Sequence, residues 1–161
     1  ADRTLPIANV GDSRAYLLDK EGIRQITEDH TLMTELIRMN RIDPEKARTH
    51  HMRHIITRVM GKEKTVEPAS QTLTVSPDDV ILLCSDGLTD MLEDAEIEKI
   101  LRSHKKSSAQ ADALVEAALQ AGGRDNVTVV LARVPANPAA VDVPVLSICH
   151  TGQFRTYTNR S

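Results

Sequence analysis

The sequence predicts an α+β chain built in layers. Short branched-aliphatic runs bounded by turn residues open it, two amphipathic helical patterns crowd its later part, and one more apolar run follows them. Strands and helices do not alternate as βαβ units would, so a layered α+β or αββα arrangement fits best. The 161 residues, 40% of them hydrophobic, suffice for one domain with a real core.

Leu5–Val10 reads as a strand, Gly11-Asp12-Ser13 as a tight turn, and Ala15–Leu18 as a second strand. Asp19–Gly22 turns the chain back along Ile23–Ile26, which completes an antiparallel meander. Thr31–Met39 is helical, with Leu32, Glu35, Leu36 and Met39 on one side and Asp29-His30-Thr31 offering its cap. Pro44 starts a short second helix through Arg48. A strand lies within Thr65–Val75, and Ser76–Asp79 is a turn. Val80–Cys84 is the most apolar short run and reads as a central strand. Asp94–Leu101 places Ile97, Ile100 and Leu101 inward. Ser108–Gln120 carries the stripe Ala111, Leu114, Val115, Ala118 and Leu119, and Gly122-Gly123 stops it. Val127–Val134 is the last core strand. Pro135, Pro138 and Pro144 then punctuate a segment, 135–161, that reads as a tail or loosely docked arm on a domain spanning 1–134.

Composition narrows the function classes. A net charge of −3 gives no global pull toward nucleic acid, and 2% aromatics provides little base-stacking surface. No apolar run is long enough to span a membrane. No export signal opens the sequence, so a cytoplasmic setting is expected. Cys84 lies inside an apolar strand and is expected to be a buried thiol, with a Cys84–Cys149 disulfide the lesser alternative. Ser13 and Ser85 lack the setting of a serine nucleophile, and no phosphate-binding or dinucleotide glycine loop occurs.

The chemistry points to four aspartates. Asp12 stands in Gly11-Asp12-Ser13-Arg14, Asp86 in Ser85-Asp86-Gly87, and Asp125 in Gly122-Gly123-Arg124-Asp125-Asn126. Each lies at a strand boundary in a glycine-marked stretch, and Asp90 follows Asp86 by four residues, one turn if that segment is helical. Short carboxylates held rigidly at strand ends suit a hard divalent cation. Taken singly, Asp90 and Asp12 also read as turn residues and Asp125 as part of a helix stop. Arg14 is expected to pair with a nearby carboxylate, and Asn126 to fix its turn by a side-chain bond. Between Arg38 and Lys64, eight Lys/Arg stand against three Asp/Glu, together with His50, His51 and His54. That stretch is either a solvated face or an anion-attracting lip over the acidic site. His50 and His51 read as surface residues, with a general-acid role as the alternative.

In order along the chain, Ala8-Asn9-Val10-Gly11-Asp12-Ser13-Arg14-Ala15-Tyr16, Asp29-His30-Thr31, Ile56-Thr57-Arg58, Leu83-Cys84-Ser85-Asp86-Gly87-Leu88-Thr89-Asp90 and Gly122-Gly123-Arg124-Asp125-Asn126-Val127-Thr128 resemble motifs of bacterial metal-dependent protein phosphatases, the PPM or phosphatase 2C family. The resemblance covers about residues 5–134. It implies part of an αββα sandwich, two antiparallel sheets flanked by helices, and hydrolysis of phosphoserine and phosphothreonine in a phosphorylated protein substrate. It further implies two core Mn2+ or Mg2+ ions and a third, more weakly held ion in bacterial members. Asp86 and Asp125 resemble ligands of a core ion; Asp12, Asp86 and Asp90 resemble those of the third. The basic stretch resembles a flap that borders the site and influences substrate choice. The family's first half carries an Asp-Gly-x-Gly-Gly motif whose Asp bridges the core ions, and this sequence has no such motif. The expectation is a C-terminal portion of the domain that needs its N-terminal half or a second chain, with a catalytically inactive regulatory or binding domain as the second reading.

Overall fold

The computed structural model describes residues 3–136 and the strands Val145–His150 and Gln153–Thr158. Its elements are β1 (Arg3–Asn9), β2 (Arg14–Leu18), β3 (Ile23–Gln25), α1 (Leu32–Arg38), α2 (Pro44–Arg48), β4 (Ala69–Val75), β5 (Val80–Cys84), α3 (Asp86–Thr89), α4 (Asp94–Ser103), α5 (Ser107–Gln120), β6 (Val127–Arg133), β7 (Val145–His150) and β8 (Gln153–Thr158). They form two antiparallel sheets, one of order β3-β2-β5-β6-β7-β8 and one of β1 with β4.

Strand alternation builds two cores. Tyr16 and Leu18 of β2, Val80, Leu82 and Cys84 of β5, and Val127, Val129 and Leu131 of β6 point to one face. Leu88, Ile97, Leu101, Ala111, Leu114, Val115 and Ala118 from α3–α5, with Leu92 from the link between α3 and α4, cover that face. On the other face, Leu17, Ile81, Val75 and Val134 pack with Leu5 and Leu73 between the two sheets. The described layers are therefore helix, sheet, sheet, as a partial αββα sandwich requires. Among the described residues no helix is long and apolar enough to cross a membrane.

The expected meander is half right. β2 and β3 form a hairpin, but β1 pairs with β4 and not with β2. The Gly11–Ser13 link thus carries the chain from one sheet to the other. The cause is burial: β1 alternates between half-buried and exposed, whereas Ala15–Leu18 is buried on both faces and takes an interior place between β3 and β5.

Two helical stripes also differ from expectation. In α1 the buried residue is Met33, while Glu35 is exposed and Met39 is 65% exposed, because this helix overhangs a cavity instead of lying on a core. In α5 Leu119 is partly exposed and packs beside Gly123, while Gln110 is buried and donates to the carbonyls of Leu101 (2.6 Å) and His104 (2.9 Å). Cys84 is a buried free thiol whose burial pushes its pKa up to about 12. Of the segment 135–161, two pieces are strands: β7 pairs with β6, and β8 with β7. Pro138, Pro144 and the side chain of Cys149 lie outside the described residues.

Candidate metal centre

Sheet register brings the aspartates together. Arg14 lies opposite Cys84, and Cys84 opposite Val129. The start of β2, the end of β5 and the start of β6 therefore share one edge of the large sheet. Asp12 precedes β2, Asp86 follows β5, and Asp125 precedes β6. α3 starts at Asp86, and the Asp90 N–H donates to the Asp86 carbonyl at 2.8 Å, which stacks the fourth aspartate one turn above it.

Electrostatics shows the convergence directly. Asp86 is half-buried, and its carboxyl sits above the ordinary carboxylate range. Burial is the main cause; the charges of Asp12, Asp125 and Asp90 add to it, against a hydrogen bond from the Gly87 N–H. The charges of three other carboxylates thus bear on Asp86. Donor atoms of His54, Asp86 and Asp90 all lie within 4.8 Å of one another. His54 Nδ1 is 3.6 Å from Asp90 Oδ2. Oxygen donors with one imidazole fit a hard divalent ion of the magnesium or manganese type.

Close backbone contact holds the two halves of the edge together. A Cβ on Gly87 would stand 2.4 Å from the Asn126 carbonyl oxygen, so only glycine lets α3 rest on the Asp125–Asn126 backbone. The Ser85 hydroxyl donates to the Asn126 carbonyl and accepts from the Thr128 N–H, both at 3.0 Å. Ser85 is a staple between the end of β5 and the start of β6. Asn126 acts through its backbone here: its N–H donates to Asp125 Oδ1 at 2.6 Å.

Beside this edge, α1, α2 and their loops border a cavity of about 560 Å3, whose lining includes Asp12, Asp86 and Asp90 together with Arg48, Arg53 and His54. Arg48 pairs with exposed Glu93 at 3.2 Å. At its floor Arg14 forks onto Asp29, with Nε 2.9 Å from Oδ1 and Nη2 2.7 Å from Oδ2. Arg14 also donates to the Tyr16 hydroxyl at 3.1 Å, which donates to Asp94 at 3.1 Å. Burial works against the Arg14 guanidinium, but the bonds and charges of Asp29 and Tyr16 outweigh it and hold Arg14 above its ordinary value. Arg14 therefore pairs as expected.

The charges of Asp12, Asp125 and Asp90 all bear on Asp86, so the four aspartates share one region of the structure. His54 was not singled out as a donor, because a histidine in a basic run gives no sign of a partner so far along the chain. His50 and His51 instead stack on each other, with ring centroids 4.4 Å apart.

Comparison with known proteins agrees with this arrangement. The family model described as protein phosphatase 2C matches residues 1–127. The chain belongs to the protein phosphatase 2C family. It is 45% identical over 131 residues to a serine/threonine phosphatase stp of Listeria innocua, covering 81% of this chain and 52% of that protein. The crystal structure of the Mycobacterium tuberculosis serine/threonine phosphatase PstP/Ppp matches with a TM-score of 0.76 and 40% identity, over 82% of this chain and 55% of that one. A PstP catalytic domain solved in complex with two manganese ions matches with a TM-score of 0.72 and 39% identity, over 84% of this chain and 55% of that one. The chain spans about half the length of the curated relatives it matches.

Proposed function

We propose that residues 1–134 are the C-terminal portion of a protein phosphatase 2C catalytic domain that removes phosphate from phosphoserine and phosphothreonine in proteins, with 135–161 as an appended arm. The observation that carries this reading is the grouping of donor atoms of His54, Asp86 and Asp90 within 4.8 Å of one another, at a half-buried Asp86 whose carboxyl is raised by burial first and then by the charges of Asp12, Asp125 and Asp90. Asp86 and Asp125 would hold a core Mn2+ or Mg2+ ion, and Asp12, Asp86 and Asp90 a third. When bound, such ions supply an activated water and neutralise charge on the transferring phosphoryl group. The chain's own residues position that chemistry: Gly87 and Ser85 fix the carboxylates, and Arg48 and Arg53 draw an anionic substrate to the cavity. Free Cys84 suits a cytoplasmic, reducing setting.

The other half of the sandwich would be supplied by the missing N-terminal portion or by a second chain. A groove of about 480 Å3 between the two sheets supports this, lined by Ile7, Ala8, Val10, Ala15, Leu83 and Val130. Leu83 in the middle of a central strand is 42% exposed there. Such a side chain calls for a covering layer.

The test is manganese-dependent release of phosphate from a phosphothreonine peptide, by this chain alone and after mixing with the N-terminal half of a protein phosphatase 2C domain. Turnover only in the mixture, lost with Asp86→Asn, is the expected result. Turnover indifferent to Asp86→Asn would overturn the assignment.

A further inference from the structure

His30 joins three segments of the chain through three different polar groups. Its backbone N–H donates to the Gly11 carbonyl at 2.9 Å, and its carbonyl accepts from the Thr57 N–H at 2.8 Å. Its Nδ1 accepts from the Gly11 N–H at 3.1 Å. Thr31 and Ile56 form a β-bridge beside it, and the Leu32 N–H donates to the Ile55 carbonyl at 2.8 Å. The two ends of the flap therefore close on each other at His30, and that same residue clasps Gly11 from both sides of its peptide. Gly11 is buried and has φ of +104°, a conformation that glycine alone adopts without strain.

The clasp bears on the next residue. Asp12 directly follows Gly11, so the backbone at Gly11 sets where the Asp12 side chain starts. The Gly11 bond also selects one form of the imidazole. Nδ1 accepts only when it carries no proton, which leaves the proton on Nε2. The Arg58 guanidinium also lies 3.3 Å from Nε2 while donating to the Glu67 carbonyl at 3.1 Å, so two N–H donors face a ring that, when neutral, accepts at one nitrogen only, and the clasp requires that nitrogen to be Nδ1. Burial and then the Arg58 charge hold His30 below its ordinary pKa, against the smaller opposing charges of Glu28, Asp29 and Glu35.

We propose that neutral His30 is a positioning residue that locks the Gly11–Asp12 loop to both ends of the flap, so that the aim of Asp12 and the seating of the flap form one coupled arrangement. The consequence for a cation rests on the phosphatase reading above; the clasp itself does not.

Two substitutions separate the side-chain contact from mere occupancy. In His30→Asn the amide oxygen takes the place of Nδ1 and can accept from Gly11. In His30→Gln the amide reaches toward the place of Nε2 and leaves the Gly11 N–H without its acceptor. Both keep the backbone bonds. The chain is labelled with 15N, the exchange of the Gly11 amide is followed by NMR, and manganese affinity is measured by titration calorimetry. Wild type and His30→Asn should protect Gly11 equally. His30→Gln should exchange about five- to tenfold faster, the worth of one net hydrogen bond, with the Leu82 amide unchanged as a check on the fold. Manganese affinity should fall by a similar factor in His30→Gln only. Equal protection in the two variants would overturn the proposal, as would manganese affinity that is unmoved while Gly11 opens.

The imidazole 15N shifts of wild type decide the matter even if a variant does not fold. A proton on Nε2 alone supports the clasp, and a proton on Nδ1 overturns it. If wild type binds no manganese, the metal reading fails, while Gly11 exchange and the imidazole shifts still judge the clasp.

Discussion

Gly87→Ala tests how the site edge is assembled. An added Cβ would stand 2.4 Å from the Asn126 carbonyl oxygen, 2.9 Å from its carbonyl carbon and 3.4 Å from that of Asp125. Unstrained contacts need roughly 3.5 Å, so α3 and the Asp125–Asn126 segment must part by about 1 Å. The atoms in the way are backbone and cannot swing aside as a side chain would. Overpacking of this kind costs about 1–3 kcal/mol. Parting the segments also weakens the two 3.0 Å bonds of the Ser85 hydroxyl, each worth about 1 kcal/mol net. Alanine's better helix propensity returns at most about 1 kcal/mol, and less at the first turn of so short a helix. The net expectation is a loss of about 2–4 kcal/mol, or roughly 4–16 °C in the thermal midpoint for a chain of this size. Urea unfolding measures the first number and calorimetry the second. Manganese affinity should fall as well, because Asp86 and Asp125 move apart. A Gly87→Ala chain as stable as the parent would refute the close contact, and a more stable one would show that propensity outweighs it.

Three further outcomes are expected. Because Asp86 has a raised folded-state pKa, its contribution to stability is fully present below the ordinary carboxylate value of about 4 and is lost as pH rises through the raised value. Asp86→Asn should therefore raise the thermal midpoint in chelator at neutral pH, with the gain shrinking as pH falls, and should lower the midpoint relative to wild type in excess manganese; the same sign in both buffers would refute a cation at Asp86. Arg14→Lys keeps the charge but not the fork onto Asp29, and should cost about 1–3 kcal/mol by urea unfolding, whereas a loss below about 0.5 kcal/mol would show the pair to be of no consequence. In the complete domain, Arg48→Gln with Arg53→Gln should weaken capture of an acidic phosphopeptide more at low salt than at high salt, while a loss that ignores salt would point to packing instead.

Local chemistry explains what could be read from the residues. Asp12, Asp86 and Asp125 sit at strand boundaries in glycine-containing stretches, and strand boundaries are visible in runs such as Val80–Cys84 and Val127–Arg133. What no local pattern contains is pairing. β1 and β2 flank a turn rich in hairpin signals, yet the chain switches sheets there, because Ala15–Leu18 is apolar on both faces and gains more by sitting between β3 and β5 than by pairing back on β1. His54 likewise becomes a donor only because the flap folds over α3, and Asp29 becomes the partner of Arg14 only because β3 returns the chain to the sheet edge. The site thus depends on two kinds of information. The carboxylates are placed by short strand-end motifs, which survive in any fragment that keeps β2, β5 and β6 together. The residues that face them are placed by long-range closure of the flap at His30, where the Thr57 N–H meets the His30 carbonyl and the His30 N–H meets Gly11, so no short motif could announce them.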